Sequence, residues 1–270
     1  MNDLFCGKAL EVPMTKITYH HVREFPGWTK APDFLRKLIA EYEPRVLLEI
    51  GSGANPTLEI EIARKAELRY ITSDSNPAEL AKAPAGFEAR LLNLETEKPP
   101  SDILGRCDIV FSRMVNEHVS DGERYHKNIL QLLAPGGVAV HCFSTLYAFP
   151  FIVNALLSGA ASERLLDFAT GRQHHRKFPA YYSWSRGPTA GMLKRFEAIG
   201  YDVITYRGYF GHWYYSRLKP LHHLEFWKTR ALLAFPNPLL CSYAMVMLRE
   251  SLAARPQKSG AARIEGLIDG

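Results

Sequence analysis

The sequence predicts a doubly wound α/β fold: a mainly parallel sheet of seven strands, helices on both faces, and a helical cap insertion. Three observations carry this. Val46 to Pro56 reads VLLEIGSGANP, an apolar strand running into a glycine turn, and Thr57 to Lys65 continues as a helix. Apolar runs then alternate with amphipathic segments down the chain, as parallel sheets with crossover helices require. A second short strand ends in Asp74, about twenty residues past the turn, where a carboxylate can accept two hydrogen bonds from a ribose diol.

The turn itself narrows the ligand. Gly51 and Gly53 supply unusual backbone dihedrals and let a ligand lie against the chain. The third glycine of the dinucleotide pattern is replaced by Asn55, with Pro56 behind it, which disfavours a pyrophosphate. Glu49, at the end of the strand, would repel a phosphate and can receive an ammonium group. The amino-acid end of S-adenosylmethionine carries one, and that molecule has no phosphate. Glu49-Ile-Gly51-Ser52-Gly53-Ala-Asn55 resembles the first motif of class I S-adenosylmethionine-dependent methyltransferases.

The remaining elements extend the resemblance. Residues 15–30 mix aromatics, histidines and charge; Pro32 to Tyr42 has a helical apolar period ending before Pro44. In the resembled family a helix before the first strand often covers the cofactor, and Tyr19 and Trp28 are either part of such a lid or anchors of the arm on the core. Ala89 to Glu95 reads as a third strand, with Asn93 where the family commonly has Asp beside the adenine. Cys107 to Val119 is a fourth strand and its exit; Asp108, Ser112, Val115, Glu117, His118 and Val119 keep the family's pattern. Tyr125 to Ala134 is an amphipathic helix broken by Pro135-Gly136-Gly137, before a fifth strand from Val138 to Tyr147. The resemblance thus runs from about residue 44 to 147, four motifs in order. Thr189 to Gly200 then gives a helix, Tyr201 to Tyr206 a strand, His222 to Ala234 a helix, and Ser242 to Leu248 a final strand. The expected organisation is an N-terminal arm and lid helix (1–43), a methyltransferase domain (44–250) with a cap insertion at 148–182, and a flexible tail (251–270).

The resemblance implies site residues. Cofactor contacts fall to Glu49, Gly51, Ser52, Gly53, Asp74, Ser75, Asn93, Leu94, Ser112 and Arg113. An oxygen acceptor also needs a base, for which His118, His174, His175 and His212 are candidates; His141, inside a strand, reads as structural. An insertion after the fifth strand is where this fold usually builds its acceptor pocket, so Tyr147, Tyr181, Tyr182 and Trp184 are placed on its wall.

Composition bounds the alternatives. The 270 residues are 47% hydrophobic, enough for a substantial core. Four scattered cysteines form no C-x-x-C pair, against a zinc site or disulfide scaffold. Adjacent histidines lack metal-ligand spacing, and Gly51-Ser52-Gly53 is not a nucleophile elbow. The start lacks a basic stretch followed by an apolar core, and no apolar run approaches a membrane span, so a cytoplasmic location is expected. The net charge of +5 is uneven: residues 171–250 hold 12 Lys/Arg against 4 Asp/Glu, with 16 of the 31 aromatics. That stretch reads as a pocket wall with a solvated basic face, or as a peripheral membrane contact. The marks of base-modifying methyltransferases are missing, which argues against nucleic acid. The expected function is methyl transfer from S-adenosylmethionine, leaving S-adenosylhomocysteine, to an oxygen or nitrogen of a small, largely apolar or aromatic acceptor. The alternatives are a lipid-linked or saccharide acceptor at a membrane surface, and a binding protein without turnover.

Overall fold

The computed structural model describes residues 15–146, 179–215 and 218–251. Eight strands form one sheet: β1 (Lys16–His21), β2 (Val46–Ile50), β3 (Arg69–Asp74), β4 (Glu88–Leu91), β5 (Cys107–Arg113), β6 (Leu133–Ser144), β7 (Tyr201–Phe210) and β8 (Tyr243–Glu250). Their spatial order is β1-β7-β8-β6-β5-β2-β3-β4. Every pairing is parallel except those of β8, which runs antiparallel between β6 and β7. The carboxyl ends of seven strands and the start of β8 therefore lie along one edge of the sheet.

The count of seven expected from sequence is corrected to eight. Residues 16–21, read as part of the N-terminal arm and not as a strand, pair in parallel with β7 from Lys16 opposite Thr205 to His21 opposite Phe210. The segment KITYHH is charged and half-exposed, so it carries neither an apolar run nor clean alternation, and its partner strand is distant in sequence. Tyr19 anchors it by stacking on Phe210, centroids 5.5 Å apart.

Two apolar layers fix the helices. On one face, α1 (Ala31–Tyr42) and α2 (Ile60–Lys65) cover Leu47, Tyr70, Ile109, Phe111 and Val140 with Leu35, Leu38 and Ala63. On the other, α4 (Gly122–Leu132) and α5 (Ala190–Ala198) press Ile129, Leu132, Met192 and Phe196 onto Leu48, Val110 and Val246. Each fully buried leucine or phenylalanine contributes about 1.5–3 kcal/mol. The ends are locally specified: Pro32 sits in the first turn of α1, Thr189 accepts from Met192 N–H at the start of α5, and Asn76 accepts from Ala78 N–H to cap the single-turn α3 (Pro77–Leu80). Asp108 joins the two central strands at their amino ends: its Oδ2 accepts from the N–H groups of Arg45 (2.8 Å) and Val46 (2.9 Å). The last helix, α6 (Lys219–Ala234), lies beside β1 and β7. Among the described residues no helix is long and apolar enough to cross a membrane, and no cluster of ligating side chains could hold a metal.

Candidate active site

The glycine loop after β2 is held from behind. Strand alternation sends Leu48 and Ile50 to the α4–α5 face and Glu49, with Leu47, to the α1–α2 face. There Glu49 is fully buried. Its Oε2 accepts from Thr57 N–H (2.9 Å) and from the Tyr70 hydroxyl, and its Oε1 from the Thr57 hydroxyl. Arg113 Nε lies 3.9 Å from the carboxylate and donates to Thr57 Oγ1 (2.9 Å), while its Nη2 donates to Asn55 O (2.9 Å). Burial raises the Glu49 pKa above its ordinary value, against the opposing hydrogen bonds and Arg113. The sequence reading paired this carboxylate with the cofactor's ammonium group, directly or through water. In the structure it lies beneath the loop with both oxygens hydrogen-bonded, tying Thr57 to β2 and β3.

The loop's shape demands its glycines. Gly51 has φ +70° and Gly53 φ +47°. A Cβ on Gly51 would fall 2.3 Å from Val115 Cγ2, and one on Gly53 would fall 2.9 Å from Asp74 Oδ2. The bare loop therefore touches both the exit of β5 and the tip of β3. Ser52 N–H donates to Ser73 O (3.0 Å), pinning the turn to β3. Asp74 accepts from Asn76 N–H through Oδ1 (2.8 Å), and Asn76, not Asp74, caps α3. Asp74 is only half-buried; burial is the largest cause raising its pKa. Ser75 beside it is exposed. Asn93 holds its own turn by accepting from Glu95 N–H (3.1 Å), whereas the Leu94 side chain is buried in the α4-side core.

Ser112 faces the opposite way from Arg113. It is fully buried, its hydroxyl joining Asn116 Oδ1 (3.1 Å) and His141 Nδ1 (2.7 Å), with the His126 ring against His141. Burial lowers His141 to about 3 and His126 in the same direction, so both stay neutral. This network braces the exit of β5, where Met114 adopts φ +54° and donates its N–H to Cys142 O (2.7 Å). The sequence reading missed Met114; a positive φ at a residue that is not glycine has no compositional signal.

Past that exit the edge becomes aromatic. Glu117 is buried; its Oε1 accepts from Ser144 Oγ–H (2.9 Å) and N–H (3.3 Å), and its Oε2 has no hydrogen-bond partner among the described residues. Its carbonyl accepts from the N–H groups of Tyr181 and Tyr182, and His118 Nδ1 donates to Pro179 O (2.8 Å). The Glu-His pair thus docks chain 179–182 onto the sheet. Ser144 is opposite Tyr243 in register. The Trp28 ring lies 4.6 Å from Tyr243, 5.1 Å from Phe25 and 5.1 Å from Trp213. Tyr182 lies beside Ser144, and Tyr214 beside Tyr243.

The wall residues expected together are divided. Tyr182 is buried on the α1–α2 face and Tyr181 is exposed. Trp184 packs on the other face against His126 (5.3 Å) and Phe196 (5.4 Å), where a Cβ on Gly122 would lie 2.3 Å from its ring. Tyr147, His174, His175 and most of the 148–182 cap lie outside the described residues. His212 is buried at the end of β7, Nε2 3.3 Å from Glu225 Oε2, beside a small cavity of about 60 Å³ also lined by His21 and His222. Glu225 also pairs with Lys228 at 2.6 Å; these partners hold its pKa down although burial alone would raise it.

A family model described as a methyltransferase domain matches residues 20–232. The chain belongs to that family. It is an S-adenosylmethionine-dependent methyltransferase of class I, with S-adenosylmethionine as its cofactor. No curated protein matches the sequence. Among solved structures, phosphoethanolamine N-methyltransferase 2 of Haemonchus contortus, in complex with S-adenosylmethionine, shares the fold at 14% identity and TM-score 0.51. That match covers 83% of this chain and 53% of the other, so the chain spans about half that enzyme's length. A methyltransferase from Mesorhizobium loti is similar at 16% identity and TM-score 0.48, covering 81% of this chain and 96% of its own. The cradle fits the cofactor: a loop without side chains at Gly51 and Gly53 touches a partly open carboxylate at Asp74.

Proposed function

We propose that this methyltransferase acts on an oxygen or nitrogen of a small, largely apolar or aromatic acceptor. The cofactor would lie over the ends of β2, β3 and β5, and the acceptor over β6 and β8. The observation that carries this is the aromatic cluster at the carboxyl edge past Met114, in which Trp28 meets Trp213 and Tyr243 while Tyr182, Tyr214 and Tyr243 lie near Glu117. Such a wall suits a flat or apolar molecule with a few convergent polar groups.

Each residue has a part. Asp74, with Ser75 beside it, would hold the ribose diol, and Asn93 the adenine edge. The Gly51–Gly53 backbone would let the methionine arm pass, with Arg113 and Ser112 setting the floor through the loop and the β5 exit. The bound sulfonium supplies an activated methyl with a neutral thioether as leaving group, so the protein contributes mainly alignment and exclusion of water. For an oxygen acceptor, His118 is our candidate base, held at the exit of β5 by the hydrogen bond from its Nδ1 to Pro179 O.

The test is release of S-adenosylhomocysteine on incubation with S-adenosylmethionine and a panel of phenols, aromatic amines and aliphatic alcohols. Turnover is expected with aromatic members. Turnover confined to strongly polar acceptors such as free sugars would overturn the acceptor assignment.

A further inference from the structure

The basic, aromatic character of residues 171–250 is only partly used by the acceptor wall; the rest is on α6, whose amphipathicity is inverted. Its buried side chains include Glu225 and Thr229, with Leu232 the one buried large apolar residue. Its outer surface and the turn after it expose Leu221, Leu224 (66%), Phe226, Trp227 (63%), Phe235 (83%) and Leu240. A surface helix ordinarily does the reverse, and large apolar side chains exposed in this number mark an interaction site.

The charges identify the partner. Arg230 lies 5.9 Å from the Phe226 ring and 5.6 Å from the Trp227 ring, so a guanidinium rides on the exposed aromatics. Lys219, His222 and His223 are exposed on the same helix. The one acidic side chain between residues 218 and 241, Glu225, is buried and paired with Lys228 and His212, so no carboxylate faces outward. Tryptophan, phenylalanine and leucine beside arginine and lysine, with no competing acid, is the composition of an interfacial helix on anionic lipid. A protein partner would have to match an apolar convex ridge with a positive border.

We propose that α6 and residues 235–240 dock the enzyme on an anionic phospholipid surface. The helix is joined to the candidate acceptor side: His212 meets Glu225, and Gly211 lies against Thr229. Docking would therefore bring that end of the carboxyl edge to the bilayer, where an apolar acceptor would be concentrated.

The experiment is sedimentation of the full chain with vesicles of phosphatidylcholine alone and of phosphatidylcholine mixed with phosphatidylglycerol, at low and high salt. Binding is expected only to the mixed vesicles, weakening with salt, with a blue shift of tryptophan fluorescence. The double variant Trp227→Asp, Phe235→Asp should lose at least about tenfold in vesicle affinity, since two apolar anchors become anions. It should keep S-adenosylhomocysteine affinity by calorimetry and a melting temperature within about 2 °C. Failure of the wild type to bind mixed vesicles would overturn the proposal. So would equal binding by the double variant. Dissociation of a wild-type dimer by the double variant would assign the face to a second copy instead. A large fall in melting temperature of a monomer would assign it to cover from within the chain.

Discussion

A buried glutamate stands behind the glycine loop and another behind the aromatic cluster, and the two are treated differently. In the cofactor half Glu49 meets Thr57, Tyr70 and Arg113, and both its oxygens are engaged. In the aromatic half Glu117 is bonded through one oxygen only, and Oε2 has no partner among the described residues. A fully bonded buried carboxylate rigidifies what it touches, here a loop that must hold one shape. A half-bonded one leaves its remaining oxygen unsatisfied, and such groups collect where a ligand completes the site. The difference separates a preformed cradle from a surface finished by its acceptor.

Four substitutions break or sharpen that contrast. Glu49→Ala should have the largest effect, because it strands the buried Thr57 and Tyr70 donors. A loss of about 3 kcal/mol or more is expected in urea unfolding, at roughly 1–3 kcal/mol per stranded partner. A loss under about 1 kcal/mol would mean that Glu49 does not anchor the loop. Asp74→Ala comes next. Hydrogen bonds from a diol to a carboxylate are worth about 1.5–3 kcal/mol each, so S-adenosylmethionine affinity should fall tenfold or more by calorimetry with the melting temperature kept. Unchanged affinity would remove Asp74 from the cofactor site. Gly51→Ala should cost roughly 1–2 kcal/mol from the left-handed backbone alone, and its Cβ would also press on Val115. Cofactor affinity should fall with it.

Glu117→Gln should be the smallest and is read in pH. Burial raises the Glu117 pKa above its ordinary value of 4.5. The folded state therefore binds this proton more tightly than the unfolded state. Stability attributable to Glu117 is greatest below 4.5, falls as pH rises toward the folded value, and stays low above it. Glutamine keeps the acceptor for Ser144 and removes the titration. Melting temperatures measured at mildly acidic and mildly alkaline pH should show the variant gaining on the wild type as pH rises. A parallel pair of pH profiles would show that Glu117 is not perturbed.

What was legible follows from how each half is encoded. The strand, Gly51-Ser52-Gly53 turn and Asp74 are written in local spacing, and the structure brings them into contact as expected. The direction of Glu49 was also available: alternation puts it on the face of Leu47, opposite Leu48 and Ile50. Tyr182 and Trp184 are two residues apart yet lie on opposite faces, because residues 181–184 are not a strand and Tyr182 has φ +52°, so alternation does not govern them. The aromatic half has no such script. Trp28, Tyr182, Trp213 and Tyr243 come from four distant segments, gathered by the pairing of β1, β7, β8 and β6. The edge strand β1 escaped for a related reason: a charged six-residue segment pairs with a strand near the other end of the chain, and no turn joins them.

The most direct test of the division is a crystal structure with S-adenosylhomocysteine bound. The account predicts the ribose on Asp74, the adenine by Asn93, and the sulfur turned toward the Glu117, Tyr182 and Tyr243 cluster. A sulfur facing away from that cluster, into space lined by neither it nor residues 209–215, would contradict the account.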